Sequence, residues 1–143
     1  MSFIDAAQND AARQLLEARG DLGELAEKLG IELVSLSAEE AVATMPAAGN
    51  RQPYGVINGG AYVTLGETLG SFAANVHALG RDKVAVGIEI NATHTRSVRD
   101  GVVTGTCRAL HLGGTLTTHE IVIRDEQERL VSTVRITNFL RDR

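Results

Sequence analysis

From Gly80 onward every segment reads as strand, and the turns between segments are too short for anything but antiparallel pairing. Val84, Val86, Ile88 and Ile90 alternate with smaller or polar residues, the period of a half-buried strand. Further strands are expected over 101–112, 115–124 and 129–140. Asp100-Gly101 and Gly113-Gly114 supply turn chemistry between them. A parallel pair needs a crossover of a dozen residues or more, and the sequence has no room for one.

Ahead of this run lies one long helix, expected over 58–79. Leu65, Leu69, Phe72 and Val76 form an apolar stripe, Asn58 suits its start and Gly80 its end. Residues 46–57 carry Pro46, Pro53, Gly49, Asn50 and Gly55 and read as a loop. Two short strands precede it, at Ile31–Leu36 and Ala41–Met45. Residues 2–29 read as helical, with Leu15, Leu16, Leu22, Leu25 and Leu29 at helical spacings and with Gly20 and Gly30 as stops. The expected class is α+β: one antiparallel sheet wrapped around one long helix, in a single domain spanning 1–143 whose first 30 residues (1–30) are a helical extension.

Charge and composition narrow the function. With 14 basic and 18 acidic residues the net charge is −4, with both signs interleaved, which argues against general affinity for nucleic acid or an anionic membrane. No apolar run approaches a membrane span, and the first residues lack the pattern of a signal peptide, so a cytoplasmic protein is expected. The single Cys107 excludes an internal disulfide and reads as a small core residue. The four histidines lack zinc-site spacing, so no metal is expected. There is no Gly-x-Ser-x-Gly elbow, which disfavours a serine hydrolase.

The chemistry concentrates in 52–71. Gly59 and Gly60 open the helix, where unpaired N–H groups and the positive end of the helix dipole meet a ligand, and glycine lets that ligand come close. Glu67 follows two turns in, among Val63, Leu65, Gly66, Leu69 and Gly70. Ser71, one turn further on, is within reach of its carboxylate. Two readings of Glu67 stand on pattern alone: a solvated helical glutamate, or a carboxylate held in a site. Gly66 and Gly70 also suit close packing of the helix on the sheet.

The same segment resembles the hot-dog thioesterases of the Arthrobacter 4-hydroxybenzoyl-CoA thioesterase type. That group includes the 1,4-dihydroxy-2-naphthoyl-CoA thioesterases and the enterobactin-pathway proofreading thioesterases. Gln52, Gly59, Gly60, Ala61, Leu65, Glu67, Thr68, Gly70 and Ser71 all fall at the offsets of the family pattern. The likeness continues through Glu89–Gly101 and Ala109–Gly113, covering roughly 50–140. It implies hydrolysis of an acyl-CoA, with an aromatic or otherwise bulky acyl group favoured. It implies Glu67 as nucleophile or general base, the Gly59 N–H polarising the thioester oxygen, Gln52 orienting the carbonyl or the water, and Ser71 positioning Glu67. Where the family has His, this chain has Asn58, whose amide is also a donor but does not titrate. Coenzyme A is then part of the substrate, and no cofactor is expected. A slot for it is implied along Gly60, Thr93, His94, Arg96, His111, Gly113, Gly114 and Thr115. Gly113-Gly114 offers backbone N–H groups to phosphate on this reading and a plain hairpin turn on the other.

Gly59 and Glu67 are eight residues apart on one helix, about 12 Å along its axis. Both reach one carbonyl only if they come from two subunits, so a homodimer is expected at least, and the resemblance implies a homotetramer. Two other readings remain at this stage: an acyl-CoA binding module without turnover, and a hot-dog hydratase or dehydratase.

Overall fold

A computed structural model describes residues 2–143. Six strands form one sheet: β1 (Glu32–Leu36), β2 (Glu40–Pro46), β3 (Lys83–His94), β4 (Val102–Leu112), β5 (Leu116–Arg124) and β6 (Leu130–Asp142). Their order is β1-β2-β4-β5-β6-β3, and every pairing is antiparallel. The sheet wraps the long helix α3 (Gly59–Leu79), which is the hot-dog arrangement. The core is aliphatic: Leu65 and Leu69 of α3 are sealed against Val103, Ile121, Ile123, Val134 and Ile136. With so few aromatic residues, methyl-bearing side chains supply nearly all the burial that stabilises the fold.

Two glycines set how close helix and sheet come. A Cβ on Gly66 would lie 2.6 Å from Val134 Cγ1, and one on Gly70 would lie 2.3 Å from Ile136 Cγ2. Helix α3 therefore rests its backbone on β6, as the packing reading of these glycines expects.

The N-terminal extension breaks at Gly20, as its sequence suggests, and again before Asp10. It divides into a 3-10 turn at Phe3–Ala6, α1 (Asp10–Arg19) and α2 (Glu24–Lys28). Asn9 caps α1 by accepting the Ala12 N–H at 2.9 Å. Gly20, Gly23 and Gly30 have φ of 82°, 99° and 73°, and these left-handed positions break the helical run. Leu15 and Leu16 are buried as their spacing suggests, but Leu25 turns outward. Met1 lies outside the described residues.

The alternation over β3 also changes phase. A bulge between Gly87 and Glu89 inserts one residue. Ala85 and Gly87 face the helix before it, and Ile90 and Ala92 pack inward after it. Val86 and Ile88 are left outside, Ile88 with 58% of its surface exposed.

The charged β5–β6 turn is built on a buried carboxylate rather than on solvated side chains. Asp125 accepts the N–H groups of Gln127 and Arg129 at 3.0 and 2.9 Å and pairs with Arg129 Nε at 2.8 Å. Burial works to raise the Asp125 pKa, but the Arg129 N–H and guanidinium and the Gln127 N–H outweigh it and hold the carboxyl below its ordinary 3.8. A lowered folded-state value stabilises above 3.8 and ceases to as pH falls through it. Urea midpoints of wild type and Asp125→Asn are thus expected to differ at pH 7 and to draw together as pH falls below 3.8. A gap that persists unchanged into acid would contradict this role for the turn.

Candidate active site

The first four N–H groups of a helix have no partner within it. In α3 the cap is Asn58, whose Oδ1 accepts the Gly60 N–H at 2.8 Å. The Gly59 N–H does not donate to that side chain. The preceding loop is pinned at both ends: Gln52 N–H donates to Val56 O at 2.8 Å, and Ile57 N–H to Val98 O at 2.8 Å. The Gln52 side-chain oxygen accepts the Tyr54 N–H, which folds it back on its own turn.

Two hollows flank the helix start. One, of about 300 Å³, holds Asn58, Gly60, Ala61 and Thr64 with Arg51 and Asn50. The other, of about 340 Å³, holds Gly59, Tyr62, His94, Thr95 and Arg96. Asn58 and Gly59 thus face different cavities. A larger hollow of about 570 Å³ lies between the N-terminal helices and β1, among Phe3, Asp21, Leu22, Glu27 and Glu32. It contains none of the candidate catalytic or substrate-binding residues, and its acidic rim is unsuited to a phosphorylated ligand.

Glu67 is half-buried rather than freely solvated. Ser71 Oγ donates to its Oε1 at 3.4 Å. A Cβ on Gly87 would stand 3.1 Å from that same oxygen, so the carboxylate occupies the notch this glycine leaves in β3. The notch also borders Asn138, fully buried, with neither amide atom hydrogen-bonded to the protein. Sequence reading missed Gly87 and Asn138, because their relation to Glu67 depends on the bulge phase and on the β3–β6 register.

At the helix start the His94 ring packs against Gly59: its Nε2 and Cδ2 would both be 2.8 Å from a Cβ there. His94 Nδ1 is 2.8 Å from the Ser132 hydroxyl, and the Tyr62 ring lies 5.4 Å away. Burial, reinforced by the Asp125 charge, pushes the Tyr62 hydroxyl up to about 12, so it stays protonated. Arg96 lines the same hollow and has no ion-pair partner among the described residues. Thr93 is exposed just before His94 on β3.

The remaining residues of the implied slot lie at the other end of α3. Gly113 closes the β4–β5 hairpin by donating its N–H to Leu116 O at 2.9 Å, and its carbonyl meets His77 Nε2 at 2.7 Å. The Gly113 N–H is therefore engaged in the turn. The His111 ring lies over Gly113, and Thr115 O accepts the Leu140 N–H at 2.8 Å. Gly114 O meets Lys83 Nζ at 3.3 Å. Within one chain, then, Gly59, His94 and Arg96 gather at the start of α3, Glu67 and Ser71 at its middle, and His111, Gly113, Gly114 and Thr115 near its end.

The profile of the Thioesterase superfamily matches residues 54–132, which include the α3 start, Glu67 and the hairpin tip. The chain is similar to the 1,4-dihydroxy-2-naphthoyl-CoA hydrolase of Escherichia coli K12, with 41% identity over 128 residues, 89% of this chain and 93% of that one. It is 45% identical to the proofreading thioesterase EntH of Cronobacter turicensis over 81% of this chain and 85% of the relative. A thioesterase crystal structure from Haemophilus influenzae superposes with a TM-score of 0.78 at 35% identity, covering 90% of this chain and 87% of that one. The chain belongs to the thioesterase superfamily and is a thioester hydrolase of hot-dog fold. No helix among the described residues is long and apolar enough to cross a membrane.

Proposed function

We propose that the protein hydrolyses acyl-CoA thioesters at sites shared between two subunits, with Glu67 of one and the Gly59 N–H of the other acting on each carbonyl. The observation that carries this reading is the seating of Glu67. A carboxylate half withdrawn from water, tethered by Ser71 and lodged where β3 has no side chain, is prepared for proton or acyl transfer rather than for solvation. In the general-base route Glu67 takes a proton from water as the water oxygen bonds to the carbonyl carbon. The tetrahedral oxyanion is stabilised at the α3 start, the C–S bond breaks, and the proton passes to the leaving thiolate, giving acid and coenzyme A. In the nucleophilic route a Glu67 oxygen bonds to the carbonyl carbon, the C–S bond breaks to release the coenzyme A thiolate, and water then opens the anhydride to the acid and the Glu67 carboxylate, the water's remaining proton going to the thiolate.

The two-subunit arrangement is supported by the helix rise of about 12 Å between Gly59 and Glu67. It is also supported by β3, a twelve-residue edge strand with exposed Ile88, beside which Glu67 lies. A homodimer is the minimum assembly and a homotetramer the proposed one. Coenzyme A fits the slot of Thr93, His94 and Arg96, with His111, Gly114 and Thr115 supplied across the interface; Arg96 is the free cation for phosphate. A bulky aromatic acyl group is the favoured substrate, on the likeness to the naphthoyl-CoA hydrolase.

Thiol release from benzoyl-, hydroxybenzoyl-, phenylacetyl- and hexanoyl-CoA tests the reading. Turnover fastest with an aryl member is expected. Binding of all four without release of thiol from any would contradict it.

A further inference from the structure

Asn58 stands where the resembling family has a histidine, yet the structure places a different histidine against the helix start. The Asn58 side chain caps Gly60 and faces the opposite hollow. His94 shares its hollow with Gly59 and approaches it with the Nε2–Cδ2 side of its ring.

Three observations fix what His94 presents there. First, Ser132 is fully buried and its one hydroxyl bond is to His94 Nδ1, at 2.8 Å. A hydroxyl that only accepted would leave its own proton unpaired in the interior, so Ser132 donates and the neutral ring carries its proton on Nε2. Second, the Tyr62 ring, tilted by 44°, backs the imidazole. Third, Nε2 lies 2.8 Å from where a Gly59 Cβ would be. The backbone N of any residue is about 2.5 Å from its own Cβ, so Nε2 and Gly59 N are at most about 5.3 Å apart. One oxygen at ordinary hydrogen-bond lengths of about 2.9 Å bridges donors up to about 5.8 Å apart.

We propose that His94 is a catalytic residue, its Nε2–H joining the Gly59 N–H as the second donor to the thioester carbonyl oxygen. The inference rests on the acyl-CoA hydrolase reading above. His94 gives up no proton in this role; it stabilises the charge that builds on oxygen as the carbonyl is attacked. It also explains why glycine stands at 59, since any Cβ would push the ring away.

The test is steady-state kinetics on benzoyl-CoA for wild type, His94→Ala, His94→Gln and Glu67→Ala, with circular dichroism to confirm folding. Loss of one oxyanion donor lowers kcat by roughly 100-fold. His94→Ala is expected to show that loss with KM within about threefold of wild type, and His94→Gln, which keeps an N–H donor, to recover part of it. Because His94→Ala strands the Ser132 hydroxyl, the double variant His94→Ala/Ser132→Ala is run beside it and is expected to show the same kcat loss. A rise in KM with kcat preserved, in the presence of an inactive Glu67→Ala, would overturn the proposal and leave the hydrolase reading standing. No turnover by wild type would overturn both.

Discussion

Glu67→Ala is expected to lose at least about 100-fold in turnover while still binding acyl-CoA, the size of effect seen when a positioned acid–base group is removed. The loss reflects chemistry and not folding, because the Glu67 side chain stabilises nothing in the core. Among the described residues it meets only a long hydrogen bond from Ser71 and the notch at Gly87. Removing it relieves the partial burial of a charge. Glu67→Gln is the sharper variant. It keeps the shape and an oxygen for Ser71 but takes no proton from water and forms no acyl bond. Both variants are expected to melt at or above the wild-type temperature. Glu67→Gln turning over within tenfold of wild type would mean the carboxylate is a bystander.

Gly70→Ala carries the largest expected effect on stability. In an exposed helix the change would add about 1 kcal/mol of stability through propensity. Here the new methyl arrives 2.3 Å from Ile136 Cγ2, and Ile136 is sealed between β5 and α3. Helix and sheet must separate or distort, at a cost of about 1–3 kcal/mol. The net expectation is a lower urea midpoint, the reverse of the propensity rule. Gly66→Ala against Val134 is expected to behave likewise. Gly70→Ala combined with Ile136→Ala is expected to lose less than the sum of the two single changes, because the second removes the methyl the first collides with. Strict additivity would show that the close approach is not what glycine provides.

Most of the architecture was legible because it follows from local signals. The 58–79 stripe, the Asn58 cap and the glycine turns each act over a few residues, and strand alternation told helix from sheet. The features that failed to show are those set by distant partners. The bulge at Gly87/Glu89 changes which β3 residues face α3, and no period in the sequence marks it. Gly20 and Gly30 were legible as stops in the N-terminal run, but leucine spacing gives no sign of the further left-handed position at Gly23. Within the site, Glu67 and Ser71 are one turn apart on a helix, so their contact could be read directly. The pairing of His94 with Ser132 depends on β3–β6 register, and the Gly113 N–H is tied up by a hairpin bond that only the fold reveals.

If each site draws on two subunits, mixing two inactive variants restores activity. Glu67→Ala removes the carboxylate, and Gly59→Ala places a methyl 2.8 Å from the His94 ring and crowds the carbonyl position. Each is expected to be nearly inactive alone. Unfolded together in equal amounts and refolded, they form mixed dimers in which one site has lost both groups and the other has kept both. With random pairing, half the dimers are mixed, so about a quarter of wild-type activity is expected to return. If instead the mixture, shown by mass to contain mixed dimers, stays as inactive as its parents, then Gly59 and Glu67 act within one chain and the shared-site account is wrong.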